Sequence, residues 1–181
     1  LLGRHVTGAT LGIVGMGRIG AAVARRAAAF GMSVVYHNRR RSPEVEALTG
    51  ARLVSLDELL RASDFVTLHC PLTEATHHLI DAEALRSMKR TAVLVNTARG
   101  PVVDEEALAE ALEAGELWGA GLDVFEREPL VTERLVRLPN VLLAPHTGSA
   151  TVVARDGMAR LCAQAVVTVL AGGIPPNVVV N

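Results

Sequence analysis

The sequence predicts an α/β domain in which a doubly wound parallel sheet is covered by helices on both faces. Three observations carry that expectation. Apolar runs of strand length alternate with amphipathic runs of helix length, the strand runs are apolar throughout, and the first of them leads through a glycine-rich turn into a helix. Strands buried on both faces belong to parallel sheets, and the intervening helices supply the cover.

In chain order, Thr10 to Val14 reads as the first strand and Arg18 to Phe30 as the helix after it. Ser33 to His37 and Phe65 to Cys70 are the next strands. Between them Ser55-Leu56-Asp57-Glu58 has the spacing of a capping box and opens a short helix. Ala92 to Thr97 precedes a helix over Asp104 to Ala114, where Asp104, Glu105 and Glu106 place negative charge at the positive end of the macrodipole. Gly119 to Val124 and Val141 to Ala144 complete the strands, and Thr151 to Ala171 forms the last helix. Gly31 and Gly115 suit C-terminal caps, and Gly172-Gly173-Ile174-Pro175-Pro176 cannot continue a helix. No repeat, low-complexity tract or linker interrupts the chain, so one domain over residues 1–181 is expected.

Composition narrows the function. Half of the 181 residues are hydrophobic and 20% are charged, which suits one domain with a sizeable core. The net charge of −1 gives no footprint for nucleic acid or an anionic membrane, despite Arg39-Arg40-Arg41. Cys70 and Cys162 form neither a disulfide framework nor a paired zinc spacing, so no metal is expected and a reducing cytoplasm is. Charges such as Arg25 and Arg26 interrupt every candidate membrane span. The opening Leu1-Leu2-Gly3-Arg4 lacks a methionine and the layout of a signal peptide, and reads as the start of a fragment or excised domain.

Gly15-Met16-Gly17-Arg18-Ile19-Gly20 matches G-x-G-x-x-G between an apolar strand and an Ala-rich helix. There the first glycine permits the tight turn, the second lets a pyrophosphate approach the backbone, and the third lets helix pack on strand. A dinucleotide is the implied ligand and the sheet is Rossmann-type. An acidic residue some 20 positions further on would bind the adenosine ribose of NAD, but Asn38 stands there, followed by Arg39 and Arg40. Without a carboxylate to repel a ribose 2′-phosphate, and with guanidinium donors beside it, NADP(H) is the preferred cofactor and NAD(H) the alternative. A solvated arginine run closing a strand is the plain alternative to a phosphate site.

Arg99 follows the strand Ala92 to Thr97, and His146 follows Val141 to Ala144. Ligands of open α/β sheets bind beyond the carboxyl ends of strands. A guanidinium there can anchor the carboxylate of a 2-oxo acid and polarise its carbonyl, while a histidine can pass a proton to the oxygen as hydride arrives. Glu128 can keep that histidine charged. Taken alone, Arg99 would be an ordinary surface arginine. His5, His37, His69, His77 and His78 lack a comparable strand-end setting with a carboxylate partner.

Together these segments resemble the coenzyme-binding domain of the D-isomer-specific 2-hydroxyacid dehydrogenases. The matching stretches are Leu11 to Gly20, His69 to Thr73, Asn96 to Asp104, Gly121 to Phe125 and Pro145 to Thr151, which run in order through nearly the whole chain. The resemblance implies Arg99 as substrate anchor, His146 as acid/base and Glu128 as its partner. It also implies cofactor contacts at Arg18, Ile19, Cys70, Pro71, Thr76, Thr97, Ala98, Asp123 and Gly148, and a homodimer formed through this domain. Within the family the chain looks most like NADPH-using glyoxylate/hydroxypyruvate and 2-ketogluconate reductases; formate-oxidising members carry glutamine at the place of Glu128. Family members have roughly another hundred residues before this segment, forming most of a second, substrate-binding domain. The same family includes NAD(H)-sensitive transcriptional corepressors that keep the triad, and that alternative stays open on sequence.

Overall fold

The computed structural model describes residues 3–177, so Leu1 and Leu2 of the opening and the last four residues lie outside the described part. Two compact units divide the chain, Leu1–Pro145 and His146–Asn181. No linker composition marks the boundary; instead His146 turns through a positive φ of 52°, and the helix after it contributes no buried residue.

The first unit holds a seven-stranded, wholly parallel sheet. Its strands are β1 (Thr10–Val14), β2 (Ser33–His37), β3 (Arg52–Leu53), β4 (Phe65–Leu68), β5 (Val93–Asn96), β6 (Gly119–Leu122) and β7 (Val141–Leu143), in the order β3-β2-β1-β4-β5-β6-β7. The order reverses at β1, so a crevice opens between the carboxyl ends of β1 and β4, where a doubly wound sheet holds its ligand.

Strand periodicity sorts the apolar side chains into two cores. Leu11, Ile13, Val34 and Tyr36 pack under α1 (Arg18–Ala29) and α2 (Pro43–Thr49) with Ala24, Ala27 and Val45. Val14, Val35, Val66, Leu68, Leu94 and Leu122 face the other way. They meet Leu59 of α3 (Leu56–Ala62), Leu85 of α4 (Ala82–Ser87), Leu108 of α5 (Glu105–Glu113) and Leu135 of α6 (Glu133–Arg137). Adjacent residues of a strand point to opposite faces, so a run apolar at every position needs two such layers.

Caps set the helix limits. Ser55 Oγ accepts the Glu58 N–H (3.1 Å) and Asp104 Oδ1 accepts the Ala107 N–H (3.0 Å). Gly31 and Gly115 take φ of 69° and 66° just past α1 and α5. Asp64, at the start of β4, accepts the Thr10 N–H (2.9 Å) and the Lys89 ammonium (2.9 Å), tying the central strands together. The Thr10 N–H, with Lys89, holds its carboxyl below the usual carboxylate range.

The second unit is a turn followed by α7 (Val152–Leu170), capped by Thr151 Oγ1 on the Ala154 N–H (3.2 Å). Its apolar residues stay exposed, Val153 at 84% and Leu170 at 82% among them. No helix among the described residues is long and apolar enough to cross a membrane.

Candidate active site

The glycine turn has the geometry its spacing implies. Gly15 sits at φ 97°, where a Cβ would meet the Cys70 nitrogen at 2.6 Å. At Gly20 a Cβ would overlap the Gly15 carbonyl oxygen, so the third glycine lets α1 close onto the turn. Gly17 is different: a Cβ there meets nothing within 4 Å. It is the N-cap of α1 and offers no side-chain cap, and the first turn carries no acid, so the N–H groups around Arg18 and Ile19 face an open approach for phosphate.

A cavity of about 390 Å³ opens beside this turn. It gathers Gly15 and Gly17 with Asn38 and Arg39 from the end of β2, and with Cys70, Pro71 and Thr76 from the segment after β4. His37, Thr73, Ala75 and Leu79 line it too, though adjacency to the motifs was their one signal in the sequence. Arg18, Ile19, Gly20 and Arg40 are not among the lining residues. Burial pushes the Cys70 thiol up and the His69 imidazole down, so both stay neutral near pH 7. The Thr76 hydroxyl donates to the Pro71 carbonyl (2.7 Å) and accepts the Thr73 N–H (2.8 Å), which stiffens the cavity wall.

The arginine run divides by role. Arg41 is engaged by Glu46, with Nε at 2.8 Å and Nη2 at 2.7 Å, and Glu46 also accepts the Tyr36 hydroxyl (2.7 Å). Arg41 therefore braces α2, leaving Arg39 at the cavity and Arg40 exposed beside it. Asn38 Nδ2 donates to the Arg40 carbonyl (2.8 Å), which folds this loop on itself.

Arg99 lies in an extended turn after β5, exposed, with Nη1 2.5 Å from the Ala98 carbonyl. Buried Asn96 shapes that turn: its Oδ1 accepts the Ala98 N–H (3.0 Å) and its Nδ2 donates to the Arg99 carbonyl (3.0 Å). Thr97 is exposed and Ala98 is buried between them. Asp123, buried after β6, donates its N–H to the Asn96 carbonyl (3.0 Å), linking the next strand end to the same loop.

Exposed Glu128 lies five residues further on, with Oε1 accepting the Phe125 N–H (3.1 Å). A Cβ at Gly100 would overlap the Phe125 carbonyl and the Glu126 nitrogen, so the Arg99 loop and the Glu128 segment meet backbone to backbone. Neither Gly100 nor Asn96 had a role that sequence spacing alone could assign. His146 and Gly148 belong to the second unit, where both are exposed.

With this geometry established, comparison with known proteins decides the family. Residues 1–148 match the family model described as D-isomer specific 2-hydroxyacid dehydrogenase, NAD binding domain. The chain belongs to that family. Its members' domain binds a nicotinamide dinucleotide, which suits the cavity beside Gly15 and Gly17. A glyoxylate reductase of Thermococcus onnurineus is 57% identical over 178 residues, covering 98% of this chain and 53% of that protein. The TT0316 protein from Thermus thermophilus superposes with a TM-score of 0.92 at 52% identity, over 99% of this chain and 56% of that one. A glyoxylate reductase from Paecilomyes thermophila gives 0.87 at 46% identity, over 93% and 51%. The chain thus spans about half the length of the relatives it matches.

Proposed function

We propose that this chain is the coenzyme-binding half of a reductase that moves hydride from a nicotinamide dinucleotide to the carbonyl carbon of a small 2-oxo acid, such as glyoxylate or hydroxypyruvate, giving the D-2-hydroxy acid. The observation that carries this reading is the junction at Gly100, which fixes the Arg99 loop against the Glu128 segment at the carboxyl edge of the sheet. In this reading Arg99 holds the substrate carboxylate and polarises the carbonyl, His146 gives a proton to the developing alkoxide, and Glu128 partners His146. Gly15, Gly17, Arg18, Ile19 and Gly20 take the pyrophosphate; Asn38, Arg39 and Arg40 the adenosine ribose; Cys70, Pro71 and Thr76 the adenine side; Thr97, Ala98, Asp123 and Gly148 the nicotinamide side. The bound dinucleotide supplies the hydride. Names of the relatives, a glyoxylate reductase at 57% identity among them, support the substrate class.

NADP(H) is the preferred cofactor in this proposal, supported by an amide rather than a carboxylate at Asn38 and by Arg39 at the cavity. A homodimer through this domain and a cytoplasmic setting belong to the same reading. No observation favours the corepressor alternative. The test is steady-state kinetics of the full-length protein with NADPH and NADH over a panel of 2-oxo acids. Turnover of glyoxylate or hydroxypyruvate with a higher kcat/KM for NADPH is expected; no oxidation of either dinucleotide with any member of the panel would overturn the proposal. For assembly, sedimentation showing only monomer at micromolar concentration would count against the dimer.

A further inference from the structure

Glu105 is one of the few charged residues buried in this chain, at 5% exposure, and among the described residues its carboxylate is held by hydrogen-bond donors rather than by a cation. Its Oε1 accepts the Glu126 N–H (2.5 Å) and its Oε2 accepts the Thr132 hydroxyl (2.7 Å). In return, the Glu105 N–H, at the start of α5, donates to Glu126 Oε1 (2.9 Å). Thr132 is the N-cap residue of α6, yet its side chain makes no cap bond, because its hydroxyl is turned to Glu105. Three hydrogen bonds thus converge from α5 on the two ends of the segment 126–132, which carries Glu128 between them.

The Glu126 side chain is held from a second direction. His78 Nε2 lies 3.1 Å from its Oε1, and His78 itself adopts φ 49°, a backbone region costly for a non-glycine residue. The Phe125–Glu126 peptide, pinned by this clasp, is the same one against which Gly100 packs, and Phe125 donates its N–H to the Glu128 carboxylate. A buried carboxylate is a poor device for stability alone, since apolar residues of similar volume often stabilise as well or better. It is a good device for holding one geometry. We infer that Glu105 is a positioning residue: by clasping Glu126 and Thr132 it fixes the turn that presents Glu128 and braces the Arg99 loop across Gly100. The inference rests on the reductase reading given above.

The full-length protein is compared with Glu105→Leu and Glu105→Gln. Loss of both acceptors in Glu105→Leu should lower kcat by about 10- to 100-fold, as expected for a small misplacement of a reacting group, while the Kd for NADPH changes by less than about 2-fold. Glu105→Gln, which keeps an acceptor for the Glu126 N–H, should restore kcat to within about 5-fold of the parent. In a Glu128→Gln background the Glu105→Leu loss should vanish, because a residue acting through Glu128 has nothing left to position. An equal loss in both backgrounds, or a parallel loss of NADPH affinity, would overturn the inference. Should Glu105→Leu fail to fold, Thr132→Val removes one arm of the clasp and is read in the same two backgrounds. Hydrogen exchange separates this claim from the reductase reading: Glu105→Leu or Thr132→Val should expose the Glu126 amide while the β4 and β5 amides keep their protection. A protein inactive on every 2-oxo acid would sink the reductase reading, and the exchange result would then decide the clasp by itself, unchanged protection at Glu126 overturning it.

Discussion

At the residue scale, the glycines of the fingerprint separate folding from binding. Gly15→Ala forces a side chain into a left-handed conformation and against the Cys70 nitrogen, so it should destabilise the chain by about 1–3 kcal/mol in chemical denaturation. Gly17→Ala meets nothing and keeps an ordinary φ, so its stability should stay within about 1 kcal/mol of the parent, while NADPH affinity measured by calorimetry falls at least about 10-fold. Unchanged NADPH affinity in Gly17→Ala would show that the open space at Gly17 has no link to phosphate. Cofactor choice is testable at the same scale. Asn38→Asp with Arg39→Ser should shift the ratio of kcat/KM for NADPH over NADH downward by about 10-fold or more, since charge-assisted hydrogen bonds contribute about 1.5–3 kcal/mol each; an unmoved ratio would remove these residues from the ribose site. The fingerprint was readable in the sequence because its requirements are local, a turn and a helix start. Asn96, Gly100, Glu105 and His37 were not, because each acts through a neighbour distant in sequence or through a cavity that exists only once the sheet has formed. Arg41 teaches the converse: in sequence it continues the run Arg39-Arg40-Arg41, and in the structure Glu46 holds it apart as a brace of α2.

At the scale of elements, β1 and β2 fall on the residues their apolar runs define, and α7 ends at the expected glycine stop. Short elements escaped the same reading. α2, α4 and α6 span five to seven residues, too few to display a helical period, and β3 is two residues long. Their punctuation is nevertheless present, with Pro43 at the first turn of α2 and Asp81 accepting the Glu83 and Ala84 N–H groups at α4. Asp64 offers a test of how the strands are tied. Its carboxyl is held below its ordinary value in the fold, so its stabilising contribution is present above about pH 4 and is lost as pH falls through that value and below. Asp64→Asn should therefore lower unfolding free energy by about 1 kcal/mol at pH 7, a modest figure because Asp64 and Lys89 are 25% and 37% exposed, and should flatten the decline below pH 4. Urea titrations at pH 7 and pH 3 that give parallel losses for both proteins would assign the tie to shape rather than charge.

At the scale of the whole molecule, the chain carries the dinucleotide cavity and the Arg99 and Glu128 segments but only about half the length of its relatives. Binding needs mainly the first of these, whereas hydride transfer needs a substrate held in position and shielded from water by a second domain. The 181-residue chain should therefore bind NADPH yet reduce glyoxylate at least about 100-fold more slowly than the full-length protein. Calorimetry and NADPH oxidation on both proteins check this; equal turnover by the two would mean that the second domain is dispensable. The sheet's two cores carry a different implication, for directed evolution. Tyr36, two residues before the loop with Asn38, Arg39 and Arg40, belongs to the layer of Ile13 and Val45, whereas Ala98, Val102 and Phe125, near Arg99 and Glu128 in sequence, belong to the other layer. Changes at sites without shared neighbours combine additively. Libraries selected separately for coenzyme and for turnover can accordingly be crossed in a single gene, each keeping the gain it was selected for.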